Sequence, residues 1–283
     1  MNTLFVLLQH VIPQHLISRI FGKLGNASTP WLKNFLIKKF ISRYKVNMSE
    51  ALYSEPEAYS TFNAFFTRQL MPEARIVDDS TDSITCPADG MISQLGEINE
   101  QNLLQAKGKF FNLSDLLGGD DNRAAPFIHG KFMTVYLSPR DYHRVHMPVS
   151  GMLKETVYVP GKLFSVNQAT TAAVDGLFAR NERVISIFET EKGPLAVILV
   201  GAMIVAGIET VWSGLITPNS HGLSVTDYKD REPGIQLQKG AELGRFQAGS
   251  TVIILFPPNK NEWSVNCQPG SAVTMGEKIG TYQ

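Results

Sequence analysis

The stretch Val184-Ile185-Ser186-Ile187-Phe188-Glu189-Thr190-Glu191-Lys192-Gly193-Pro194-Leu195-Ala196-Val197-Ile198-Leu199-Val200 decides the fold class. Two short runs rich in β-branched and aliphatic residues flank a Lys-Gly-Pro turn, and neither shows the three- and four-residue spacing of an amphipathic helix. Runs of the same kind recur at 91–98, 132–137, 156–159 and 252–256, punctuated by turns such as Pro87-Ala88-Asp89-Gly90. Long helical patterns between the runs are lacking, which argues against a parallel α/β sheet. The expectation is an α+β chain with a mostly antiparallel core, sandwich-like or barrel-like.

Outward from this core, toward the N-terminus, the texture becomes helical. Leu4, Leu8, Val11, Ile12, Leu16, Ile20 and Leu24 recur at three- and four-residue intervals. After a break at Ser28-Thr29-Pro30, a second pattern runs through Trp31, Phe35, Leu36, Lys39 and Phe40. Ser28 or Thr29 can cap it, and Pro30 suits a first helical position. Residues 50–80 read as a helical bridge, Pro56 to Leu70, and residues 100–125 as a short helix and a mobile loop.

The charges are segregated. The 283 residues carry 26 basic and 26 acidic side chains, so the net charge is zero. That excludes a globally basic nucleic-acid binder and a globally acidic disordered chain. Residues 1–49 nevertheless hold no acid and seven basic residues, from Arg19 to Lys45, which leaves −7 on the other 234 residues. No run reaches the ~20 apolar residues of a bilayer span. The basic residues follow the apolar stretch instead of preceding it, which argues against a signal peptide. Two readings remain: a basic amphipathic segment lying in a membrane interface, or a helical hairpin packed on its own domain with a solvated basic face. The expected domains are 1–49, membrane-binding helices, and 50–283, a β-rich core. Cys86 and Cys267 have neither a disulfide framework nor metal-ligand spacing and read as idle thiols.

Three places could carry chemistry. In Tyr142-His143-Arg144-Val145-His146-Met147-Pro148 two histidines sit three apart. Either can be an inert core histidine or a general acid–base, since imidazole titrates near neutrality. Metal ligands at the usual spacing are missing around them. Cys86-Pro87-Ala88-Asp89-Gly90 reads as a turn whose carboxylate can either cap its own backbone or orient a histidine. Ala248-Gly249-Ser250-Thr251-Val252 is a strand start. It lacks both the Gly-x-Ser-x-Gly elbow and the Gly-Lys-Ser/Thr of a phosphate loop.

Taken together, these three segments resemble the prokaryotic type I phosphatidylserine decarboxylase family. Phe65-Phe66-Thr67-Arg68, Val159-Pro160-Gly161-Lys162-Leu163-Phe164-Ser165-Val166-Asn167, Phe178-Ala179-Arg180-Asn181-Glu182-Arg183 and Val200-Gly201-Ala202-Met203 match as well. One departure is visible: Ala248 stands where the family usually has Leu before Gly-Ser-Thr.

The resemblance implies a self-cleaving, pyruvoyl-dependent enzyme that turns phosphatidylserine into phosphatidylethanolamine and carbon dioxide. Ser250 attacks the carbonyl of Gly249, the chain is cut between them, and Ser250 becomes a covalent pyruvoyl group that condenses with the substrate amine. Asp89, His146 and Ser250 form the implied self-cleavage triad. His143 is the candidate for positioning substrate or donating a proton. The products are a large chain, 1–249, and a small chain, 250–283, expected to pair as a homodimer of heterodimers. No metal or external cofactor is implied. A lipid substrate makes the basic segment intelligible, so the expected location is the cytoplasmic face of the cell membrane, peripherally bound to an anionic surface. The competing readings are a membrane-associated Ser-His-Asp lipid hydrolase, an uncleaved non-catalytic membrane-binding homologue, and a pyruvoyl decarboxylase of a soluble amino acid, against which the basic segment argues.

Overall fold

The two runs of the opening stretch pair with each other. In the computed structural model, which describes residues 2–203, 207–217, 222–247 and 250–283, strands Arg183–Thr190 and Gly193–Val200 form an antiparallel pair around the 190–193 turn. Gly193–Val200 then pairs with Thr251–Phe256, which pairs with Lys131–Tyr136, which pairs with Gly90–Glu97. On the far side Arg183–Thr190 pairs with Gly151–Val159 and that with Ser224–Asp227. All these pairings are antiparallel, and they make one large open sheet among the described residues. A four-stranded sheet built on Ile208–Thr210 and Glu242–Phe246 reaches Arg144–His146, and a three-stranded one joins Ser83–Thr85, Lys278–Tyr282 and Asn261–Trp263. The core is sandwich-like, and the barrel-like alternative is not what forms.

Alternation explains why the runs read as continuously apolar. Val252, Ile254 and Phe256 belong to one buried cluster with Leu195, Val197 and Leu199. Ile253 and Leu255 point to the other, with Ala196, Ile198 and Val200. Both faces of the central strands are covered, so neither face needs polar residues. Each of these Val, Leu, Ile and Phe side chains contributes about 1.5–3 kcal/mol of burial.

Two expectations change. Residues 56–70 do not form one helix: a 3₁₀ turn, Pro56–Ala58, is followed by extended backbone and a short helix, α4 (Phe62–Phe66), whose N-cap Thr61 accepts from the Ala64 N–H at 3.0 Å. Residues 100–125 begin with a hairpin, Asn102–Ala106 with Lys109–Asn112, turned at Lys107 and Gly108, both at positive φ. Helices Leu113–Leu116 and Asp121–Ala124 follow.

The N-terminal segment forms α1 (Asn2–Val11), α2 (Gln14–Gly25) and α3 (Pro30–Tyr44). Thr29 is the N-cap of α3 and Pro30 its first residue, although the Thr29 hydroxyl makes no capping bond. The amphipathic arrangement of α2 is inverted. Its buried residues are Gln14, Ser18, Gly22 and Gly25, while Leu16, Ile20, Phe21 and Leu24 face out. Val11 on α1 is 77% exposed and Trp31 on α3 is 72% exposed. Polar anchors replace apolar ones: the buried Gln9 side chain accepts from Ser165 N–H at 2.7 Å and donates to Thr170 Oγ1 at 3.1 Å. Gln14 Oε1 accepts from Leu163 N–H at 2.7 Å. No helix among the described residues is long and apolar enough to cross a membrane.

Candidate active site

Strand pairing gathers the candidate residues at one end of the large sheet. Met91 and Thr251 both pair with Tyr136, on opposite sides of it. The turn carrying Asp89 and the entry of the strand that follows Ser250 therefore flank one strand end. Gly90 is needed there, because a Cβ would fall on the Tyr136 carbonyl oxygen. The chain leaving Tyr136 then runs through Ser138–Asp141 to both histidines, and the His146 N–H returns to the Pro87 carbonyl at 2.8 Å.

Ser250 is fully buried. Its carbonyl accepts from Leu137 N–H at 2.9 Å, while its Oγ has no hydrogen-bond partner. Gly249 and Ala248 lie outside the described residues. His143 is likewise fully buried, with its ring 4.1 Å from that of Phe66. Its Nδ1 lies 2.8 Å from the Asp141 carbonyl. A carbonyl only accepts, so Nδ1 carries the proton and Nε2 is a bare lone pair, here without a partner. Burial, seconded by the Arg68 guanidinium, holds the His143 pKa down to about 3 despite the opposing carbonyl bond.

His146 has the same tautomer for the same reason: Nδ1 donates to the Gly240 carbonyl at 2.8 Å. Its Nε2 accepts from the Tyr142 hydroxyl at 3.1 Å. Burial lowers its pKa too. Asp89 is not its partner. The Asp89 carboxylate is held by Arg75, with Nε to Oδ1 at 2.9 Å, and by the Met275 N–H at 2.8 Å. The same guanidinium reaches Glu50 at 2.9 Å, and its bonds to Asp89 raise the Arg75 pKa. The three residues of the implied triad thus share one neighbourhood without hydrogen bonds among them.

Next to them lies a cavity of about 430 Å³. Leu137, whose N–H holds Ser250, lines it, as do Phe66, whose ring packs at a tilt against His143, and Gln247. Its opposite wall is Phe21 and Leu24 of α2 and Leu36 and Phe40 of α3, with Lys39 and Arg43 alongside. Apolar walls, a cationic edge and buried reactive groups suit the glycerol and chains of an anionic lipid. No cluster of metal-ligating side chains occurs among the described residues.

Sequence reasoning missed Arg75, Tyr142 and Arg68 as participants. Tyr142 stood in the quoted histidine motif, and Arg68 in the quoted Phe-Phe-Thr-Arg motif. Arg68 is buried with Nη2 on the Arg140 carbonyl at 3.2 Å and Nε and Nη1 unpartnered. Arg75 carries no local signal.

A family model described as phosphatidylserine decarboxylase matches residues 62–281, and one described as PSD matches residues 4–45. A protein of Ectopseudomonas mendocina (strain ymp) named phosphatidylserine decarboxylase proenzyme is 56% identical over 281 residues, 99% of this chain and 98% of the relative. Proteins of the same name from Stutzerimonas stutzeri (strain A1501) and Bordetella avium (strain 197N) are 56% and 55% identical, each aligned over 94% of its own length.

Proposed function

The chain belongs to the phosphatidylserine decarboxylase family, and on that premise we propose how its own residues serve the reaction. The chain is a proenzyme, and the enzyme converts phosphatidylserine to phosphatidylethanolamine and carbon dioxide. In our reading Ser250 is both nucleophile and precursor of a pyruvoyl group, with cleavage between Gly249 and Ser250. The single observation that carries this is the Ser250 hydroxyl: fully buried, unpartnered, and at the mouth of a central strand beside an apolar cavity.

The site fits a carbonyl at that position. A hydroxyl that makes no hydrogen bond forfeits none when it is replaced by a ketone. The Leu137 N–H donates to the carbonyl of residue 250, which a cut on the amino side of that residue leaves intact. The ketone supplies an electron sink for the pair released as carbon dioxide leaves.

The remaining roles belong to side chains present. His146, with Nδ1–H pinned to Gly240, offers Nε2 as the base for the Ser250 proton once it exchanges its Tyr142 bond. Asp89, clamped by Arg75, fixes the turn whose Pro87 carbonyl holds the His146 backbone. His143, neutral and with a free Nε2, is placed to take the proton that the substrate ammonium must lose and to return it to carbon, and burial favours its giving that proton up. After cleavage, residues 250–283 stay in place through Thr251–Phe256, which is bonded on both sides, and Lys278–Tyr282, which is central in the three-stranded sheet. The likeness to proteins named phosphatidylserine decarboxylase proenzyme, and not the geometry at Ser250, favours this reading over a serine hydrolase.

We place the protein peripherally on the cytoplasmic face of the cell membrane. The outward apolar faces of α1–α3 and the seven basic residues of 1–49 support this. Each basic residue is worth up to about 1 kcal/mol near anionic lipid.

Intact masses under denaturing conditions test the chemistry. Two chains, the smaller without a free amino terminus and trapped as a lipid adduct by a hydride reagent, are expected. Ser250→Ala is expected to stay whole and inactive. A wild-type chain that remains uncut while decarboxylating substrate would refute the assignment.

A further inference from the structure

Two of the quoted motifs, 159–167 and 178–183, take no part in the chemistry at Ser250, yet the fold locks them side by side. Lys162 N–H donates to the Arg180 carbonyl at 2.8 Å, and Glu182 N–H to the Lys162 carbonyl at 2.8 Å. A Cβ on Gly161 would collide with the backbone of residues 180–182, so glycine is what permits the approach. Buried Asn181 ties the two together, donating to the Phe164 carbonyl at 2.8 Å and accepting from its N–H at 3.1 Å.

The result is a second cleft of about 350 Å³ at the break between α1 and α2, lined by Lys162, Arg180, His10, His15 and Gln14. It shares no lining residue with the cavity beside Ser250. Of its two cations Arg180 is held, its guanidinium 5.1 Å over the Phe164 ring, which is 5.0 Å from the His10 ring, while the Lys162 side chain is exposed. No Asp or Glu among the described residues lines the cleft. The neighbouring acids are committed elsewhere, Asp175 to Lys109 and Glu182 to the Tyr158 hydroxyl. Ile12, Pro13 and Leu16 complete the lining, and Leu16 and Val11 belong to the outward apolar face.

We infer that this cleft binds the phosphodiester headgroup of an anionic lipid, as a non-catalytic site separate from the substrate cavity. Among the described residues neither Arg180 nor Lys162 has a carboxylate partner, Arg180 Nη1 reaching only the Asp175 carbonyl at 3.3 Å, and together they match a phosphate's charge and lone pairs. Free phosphate offers at least as much charge as a phosphodiester but has no use for the apolar rim, which favours the lipid. The lipid source rests on the membrane-facing reading of α1–α3. Occupancy would tie the bilayer to segment 162–166, whose Ser165 and Val166 line the catalytic cavity.

Titration of the full-length enzyme with dihexanoyl-phosphatidylglycerol below its micelle concentration tests the site with no bilayer present. Saturable binding is expected, weakened about tenfold or more in K162Q/R180Q by loss of charge-assisted hydrogen bonds. It should be unchanged in K229Q/K260Q, which removes the same charge at exposed positions elsewhere. Should the double variant fail to fold, Lys162→Gln alone at its exposed side chain serves. Equal binding by wild type and K162Q/R180Q, or equal losses in both double variants, overturns the site. Inorganic phosphate binding as tightly as the lipid overturns the headgroup assignment. Vesicles of phosphatidylcholine with phosphatidylglycerol form a separate arm: monomer binding without vesicle binding supports the cleft while refuting the membrane placement.

Discussion

His143 and His146 both carry their proton on Nδ1, pinned by a carbonyl, and differ in what meets Nε2. His146 has Tyr142 there and His143 has nothing. His143→Asn is therefore expected to cleave itself but to decarboxylate about 10²- to 10⁴-fold more slowly; turnover by a chain of normal two-part mass checks this. Both histidines also make stability depend on pH. Their folded-state pKa values lie below the unfolded one, that of His143 at about 3. Between about 6.5 and 3 the unfolded chain thus binds more protons, and stability falls as pH falls through that window. Thermal melts at pH 7 and pH 5 should show a lower midpoint at pH 5, with the gap narrowed in His143→Asn. Arg75 is the other residue-scale lever. Arg75→Met leaves a buried carboxylate with only the Met275 N–H, at a cost of about 3 kcal/mol. Denaturant midpoints on the uncut Ser250→Ala background would measure it. Nothing near Arg75 in sequence announced this role, because a salt bridge between Arg75 and Asp89 is a product of tertiary packing and leaves no periodicity.

Among the elements, Thr251–Phe256 carries the most. It is hydrogen-bonded along both edges and buried on both faces. Ile253→Ala should cost about 2–5 kcal/mol, seen as a lower unfolding midpoint. In wild type the 34-residue piece should co-elute with the large one on size exclusion and separate only in denaturant. The strands were legible in sequence because covered faces demand unbroken apolar runs, as in Val252–Phe256 and Leu195–Val200. The helical bridge was misread for an opposite reason. Tyr59, Phe62, Phe65 and Phe66 are spaced like a helical face, but Thr61 is extended and caps a new helix, so the register restarts inside the pattern. The hairpin at Lys107-Gly108 was hidden because a two-residue turn of positive φ carries one glycine as its only mark. Of the candidate site, residue identities were legible from motifs. The actual partners, Gly240 for His146 and Arg75 for Asp89, were not, since a backbone carbonyl has no sequence signature.

At the scale of the whole molecule, charge and apolar exposure coincide on the N-terminal helices. Binding to anionic vesicles is expected to fall steeply between about 0.05 and 0.5 M salt, where the Debye length shrinks several-fold, and sedimentation with vesicles reads it directly. The glutamine anchors of α1 and α2 have an engineering consequence. Because Gln9 and Gln14 are bonded to residues 163–170, cutting off the N-terminal helices would strip a wall from the catalytic chamber along with the greasy coat. The role of the outward face is better tested by giving Val11, Leu16, Ile20 and Trp31 polar side chains, which leaves both glutamine rivets in place.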